Sequence, residues 1–304
     1  MSPATIFFQM LSLLLMIGAG WLATKTGLLD EYTNGKLSPL IVNLFNPLLI
    51  LTNGANAVGN IAPETLGLLV LISAAMFAFL ILAGMVLTPR FTKDDRQSKI
   101  YQLMFVFSNL GFIGIPVVSS ILGSRYVVYV TVFVLMYNVV FYTYGLGWME
   151  GRLSLTALRA MINPGNLCCV AALVLVLCNL RLPDFVLTAT DYLGNVTTPL
   201  ALMSVGYGLA NGDLREIFGR PKLYLFSVIK LLLLPIVMML PLCLVFPASD
   251  LLPVCLVMFG MPVGNMPLML ANQKGIDARD CTALIILTTV LCVATIPVLL
   301  ALFL

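Results

Sequence analysis

Phe107-Ser108-Asn109-Leu110-Gly111-Phe112-Ile113-Gly114-Ile115-Pro116 and Phe259-Gly260-Met261-Pro262-Val263-Gly264-Asn265-Met266-Pro267 are two glycine- and proline-rich stretches, each with an Asn, set in apolar sequence. Proline lacks an N–H and clashes with the carbonyl four residues back, and glycine lets the chain unwind. In hydrocarbon, freed backbone groups are tolerated only where protein or a watery cavity satisfies them. Pro116 and Pro267 lie 151 residues apart. Interrupted spans at matching positions of two inverted repeats point to a carrier's substrate site. Half-helix N-termini there would offer amide N–H groups and partial positive charge to an anion. The candidate substrate-binding residues are therefore Asn109, Gly111, Gly114 and Pro116 in one stretch, and Pro262, Gly264, Asn265 and Pro267 in the other.

The surrounding sequence predicts an all-α polytopic membrane protein. Of 304 residues, 61% are hydrophobic and 10% charged, against about 25% charged in soluble domains. So little charge cannot cover a water-facing surface. Crossing a bilayer takes about 20 apolar residues. Ten such runs lie at about 5–24, 37–57, 64–88, 100–122, 125–148, 163–180, 184–210, 221–246, 251–273 and 280–303. The first is read as a span, because Met1 to Thr5 carries no Lys or Arg. The connections are too short for a catalytic domain, so no enzyme is expected. With no His, imidazole relays and Ser-His triads are excluded. The seven Cys show no metal or disulfide spacing, so they read as small buried hydrophobes. No cofactor, metal site or nucleic-acid partner is expected.

Charge supports ten spans. Loops sharing a side with the termini hold only Arg125 and Arg181, while the opposite loops hold thirteen Lys and Arg, Arg152 and Arg215 among them. Cytoplasmic loops are rich in these residues, which places both termini outside the cytoplasmic (inner) membrane. Five spans in 1–150 and five in 151–304 make the halves inverted repeats. Asn43-Leu44-Phe45-Asn46-Pro47-Leu48 also resembles Asn195-Val196-Thr197-Thr198-Pro199-Leu200, 152 residues on. Asn43 and Asn46 are candidates for the cavity wall. Pro47, Pro199, Pro235, Pro241 and Pro297 read as simple kinks. Lys230 is the one basic residue left inside a span; such a charge costs about 2.5–3.5 kcal/mol on insertion scales and is usually kept for function. It could be a substrate counter-charge, a titrating group or a structural ligand of backbone carbonyls. No Asp or Glu is embedded at mid-span, and Asp94 and Asp95 read as solvated loop charges.

Asn109-x-x-x-x-Gly114-Ile115-Pro116, Met261-Pro262-x-Gly264-x-x-Pro267-x-x-x-Ala271 and Lys230-Leu231-x-x-x-Pro235 resemble the auxin efflux carrier family, most closely its bacterial malate- or malonate-permease-like members. The resemblance covers essentially the whole chain. It implies two inverted five-helix repeats with broken helices four and nine crossing at mid-membrane. It implies a scaffold from the spans at 5–24, 37–57, 163–180 and 184–210, often a homodimer, and a transport unit from the rest. It also implies contact with substrate at Asn109, near Pro116 and between Pro262 and Pro267. Plant members carry Pro before the span-four Asn, where this chain has Ser108, and a long central loop, here only about 149–162. Both differences argue for a minimal bacterial-type carrier and against auxin. The expected function is elevator-type export of a small organic anion, a mono- or dicarboxylate, from a lipid environment. The alternative is a sodium-coupled organic anion symporter of the bile-acid-transporter type.

Overall fold

A computed structural model describes residues 3–59, 61–151, 159, 161–212, 219–246 and 249–303. Arg152 and Arg215, two of the cytoplasmic-loop charges, lie outside the described residues. In chain order the first helices are α1 (Pro3–Lys25), α2 (Glu31–Leu40), α3 (Asn46–Asn56), α4 (Pro63–Leu87), α5 (Asp95–Val106) and α6 (Ile115–Ile121). Next come α7 (Val127–Val140), α8 (Leu146–Glu150), α9 (Pro164–Leu177), α10 (Asp184–Asn195) and α11 (Thr197–Asn211). Last are α12 (Pro221–Val228), α13 (Leu234–Val245), α14 (Leu252–Phe259), α15 (Met266–Gln273) and α16 (Arg279–Phe303). The described residues contain no strand, only an isolated antiparallel bridge between Ser108 and Val263.

Among the described residues, five helical runs are long and apolar enough to cross a bilayer: Glu31–Asn56, Glu64–Arg90, Ser124–Met149, Pro221–Val245 and Arg279–Phe303. Shorter apolar helices occupy Leu11–Lys25, Leu110–Ile121 and Pro164–Leu177. On α9, Leu167, Val170, Val174 and Leu177 are exposed while Cys169, Ala172 and Val176 are buried, which suits lipid on one side and protein on the other. The free cysteines include buried Cys255, Cys281 and Cys292.

The second run begins at Glu31, not near residue 37. Asp30 caps it, its carboxylate accepting from Thr33 N at 2.7 Å. Asp94, expected to be a solvated charge, likewise caps α5 by accepting from Gln97 N at 2.8 Å.

Proline acts differently from a simple kink at Pro47, Pro116 and Pro235. Each stands two residues beyond a five-residue π-turn, at Ile41–Phe45, Leu110–Gly114 and Ile229–Leu233. The residue four before each proline, Asn43, Phe112 or Leu231, is the centre of that turn. Widening the helix there relieves the clash between the proline ring and that carbonyl. A fourth π-turn, Phe141–Gly145, has no proline behind it.

The chain divides into two compact units, each drawn from several stretches. One comprises Met1–Leu14, Ala75–Leu110 and Asn211–Leu304; the other comprises Leu15–Ala74 and Gly111–Ala210. In the first, Phe91, Tyr101, Phe105 and Phe226 form an aromatic core, with Phe105 and Phe226 centroids 4.2 Å apart. Gln102 of α5 donates to Ile81 O at 2.8 Å beside Gly84 of α4. Asp280 at the start of α16 accepts from Tyr101 Oη and Arg220, both at 2.6 Å, and from Lys222 at 3.3 Å. In the second unit helices meet backbone to backbone through glycines. A methyl on Gly20 would lie 2.2 Å from Met203 O, on Gly206 2.0 Å from Ile17 O, on Gly54 2.5 Å from the Ala172 Cβ, and on Gly194 2.8 Å from the Leu49 Cα. These contacts bind α1 to α11, α3 to α9 and α3 to α10.

Candidate functional site

Helix α5 stops because its next residue is not helical: Phe107 has φ −98° and ψ 95°. Its amide still reaches back to Leu103 O at 2.8 Å. Beyond it the chain runs extended past Ser108, antiparallel to Val263. Asn109 N donates to Pro262 O at 2.8 Å, and Gly264 N donates to Phe107 O at 2.9 Å. Two broken helices thus satisfy each other's freed backbone groups by a scrap of β-ladder, as the hydrocarbon interior demands. The Thr288 hydroxyl of α16 accepts from Val263 N at 3.1 Å and donates to Leu284 O at 2.6 Å. Phe107, Ser108, Asn109, Met261 and Val263 are all buried.

The second interruption spans Gly260 to Asn265, and α15 starts at Met266. Pro267 lies in the first turn of α15, where its missing N–H leaves no helix bond unmade. The first-turn amides of Met266 and Leu268 have no acceptor among the described residues. Asn265 is exposed and its side chain makes no capping bond. This end of α15 therefore offers donors and the positive end of a short helix.

The first interruption lies at Phe107–Asn109 and not at Pro116. From Leu110 the chain is helical through Ile121, first as a π-turn and then as α6. Pro116 and Gly114 are buried within that helix, so no bare helix start exists at Ile115. The π-turn accommodates the proline and keeps the helix whole.

The expected residues separate into two groups. In one compact unit, Asn109, Pro262 and Gly264 come together in the bridge, and Asn265 and Pro267 follow it directly. Lys230 is buried, and its ammonium donates to Phe105 O at 2.6 Å, four residues before Asn109 in the chain. In the other unit, Asn46 Nδ2 lies 3.8 Å from where a Gly111 Cβ would stand. The Asn46 Oδ1 is buried without a partner among the described residues. Asn43 is exposed and donates to Pro39 O of its own helix at 3.0 Å.

Sequence reasoning missed Thr288, although a Thr-Thr pair amid the apolar residues of α16 was a visible signal. Asn138 also hydrogen-bonds Asn166 across α7 and α9.

A family model described as membrane transport protein matches residues 5–156 and again residues 152–300. No individually curated protein matches the chain. The two matches together cover nearly all of the sequence, and the chain belongs to the membrane transport proteins of the auxin efflux carrier family, as a multi-pass membrane transporter.

Proposed function

We propose that this chain is a secondary transporter, not an enzyme, that exports a small organic anion, a mono- or dicarboxylate, across the cytoplasmic membrane by elevator-type alternating access. The observation that carries this reading is the buried pairing of Ser108 with Val263, followed directly by the unpartnered amides of α15 and the open side chain of Asn265. A carboxylate matches those donors, since an anion at a helix start gains both hydrogen bonds and dipole.

The two successive family matches, 5–156 and 152–300, support two inverted five-helix repeats and hence ten spans. The thirteen-to-two split of basic residues supports termini on the outer side. The scaffold spans at 37–57, 163–180 and 184–210 fall in one compact unit, which also holds the span at 125–148, while the span at 5–24 is divided between the two units. A negative-inside potential expels an anion with about 2.3 kcal/mol per charge per 100 mV, which favours export by an uncoupled carrier.

Thermal stability of the purified protein against a panel of mono- and dicarboxylates tests the reading. A ligand at a hundred times its Kd stabilises by about 2.7 kcal/mol, so a true substrate raises Tm and its close analogues do not. A panel in which no carboxylate raises Tm removes the proposal. A rise that requires sodium favours the symporter.

A further inference from the structure

In an unbroken helix the Phe105 carbonyl would accept from the amide of residue 109. Here Asn109 N is given to Pro262 O instead. The carbonyl is thus orphaned in the core, where an unsatisfied polar group is costly. Lys230 reaches it at 2.6 Å from a neighbouring helical run, with only 1% of its surface exposed. Among the described residues no carboxylate lies within ion-pair reach of this ammonium. Its charge is therefore spent on the C-terminal end of α5, where a cation is favoured by the helix dipole. The π-turn Ile229–Leu233 carries the lysine.

We propose that Lys230 is a positioning residue, the charged cap of α5, that holds Phe107–Asn109 in register with Pro262–Gly264 and offsets the negative helix end at the crossing, so that an anion is received there without touching the ammonium. The register part stands on geometry alone; the anion part rests on the carboxylate reading above. Without the cation, an anion beside Asn109 would face the carbonyl end of α5. A charge-assisted bond also holds the extended residues more firmly than a neutral one.

Hydrogen exchange on the full-length, ligand-free protein, with Lys230→Met, Lys230→Gln and Lys230→Arg, tests the cap. In Lys230→Met the amides of Asn109 and Gly264 exchange about tenfold faster or more, while those of α9 stay unchanged. Lys230→Gln, which keeps a donor without charge, falls between, and Lys230→Arg returns to the wild-type rate. In parallel, malonate and acetate are titrated by thermal shift. The apparent Kd for malonate rises about tenfold in Lys230→Gln and recovers in Lys230→Arg. Wild-type exchange in Lys230→Met with malonate binding lost would make Lys230 a direct counter-charge and overturn the cap. Should the Met and Gln variants both fail to fold, normal folding of Lys230→Arg supports the cap and its failure overturns it. If neither anion stabilises the wild type, the carboxylate reading fails, while the exchange rates still decide the cap.

Discussion

Gly264 stands where the backbone of the other broken helix passes. A Cβ there would lie 3.0 Å from Ser108 O and 3.2 Å from Phe107 O, the latter held by the Gly264 amide itself. Gly264→Ala is expected to open the crossing, lowering stability by about 1–3 kcal/mol and abolishing transport, read as Tm and as flux in proteoliposomes. Gly111 is different: the nearest atom to its added methyl is Asn46 Nδ2 at 3.8 Å, ordinary contact distance. Gly111→Ala should therefore leave stability within about 0.5 kcal/mol of wild type, read as an almost unchanged Tm. Asn265→Ala makes a third comparison. Its exposed side chain makes no hydrogen bond among the described residues, so the variant should keep its Tm and lose carboxylate-induced stabilisation. At this scale the sequence named the residues of the crossing better than their roles. Spacing of Gly, Pro and Asn marked Asn109, Pro262 and Gly264. It could not mark Phe105, whose part is played by a carbonyl that every residue possesses.

Elements were legible by hydrophobic run and less so by boundary. The start of α2 was missed because its first residues, Glu31 to Lys36, are polar and read as loop until Asp30 is seen as a cap. Asp30→Ala should cost about 1 kcal/mol, checked by Tm. The prolines were misplaced for a related reason: the clash acts four residues upstream, so the distortion is displaced from the residue that causes it. Pro235→Ala restores an N–H and lets Ile229–Leu233 return to α-geometry, which turns Lys230 away from Phe105 by roughly 100°. The variant is expected to fold with a lower Tm, because the Phe105 carbonyl loses its partner, and with reduced flux. The turn before α16 has its own electrostatics. Hydrogen bonds from Arg279 hold the Asp277 carboxyl down at about 2. A lowered carboxylate pKa stabilises above the unfolded value near 4 and is lost only as pH falls toward 2. Any change in stability or flux between about pH 5 and 8 must therefore arise elsewhere.

Over the whole molecule, composition alone was enough to identify a membrane protein, because 10% charged residues cannot clothe a soluble surface. The grouping of distant helices was not legible, since apolar side chains pack alike against lipid and protein. Asp280 illustrates what composition hides. One carboxylate joins α5, the start of α12 and α16 through Tyr101, Arg220 and Lys222. Asp280→Asn should lower Tm by a few degrees, since a half-buried site is worth less than a fully buried pair. The glycine contacts of the other unit carry a different consequence. At Gly20, Gly54, Gly194 and Gly206 the added methyl meets main chain or a neighbouring Cβ within 2.8 Å, so no rotamer can make room. In a saturation library screened for surviving expression, these four columns should be blank, beside more tolerant positions such as the exposed Leu167 and Val170.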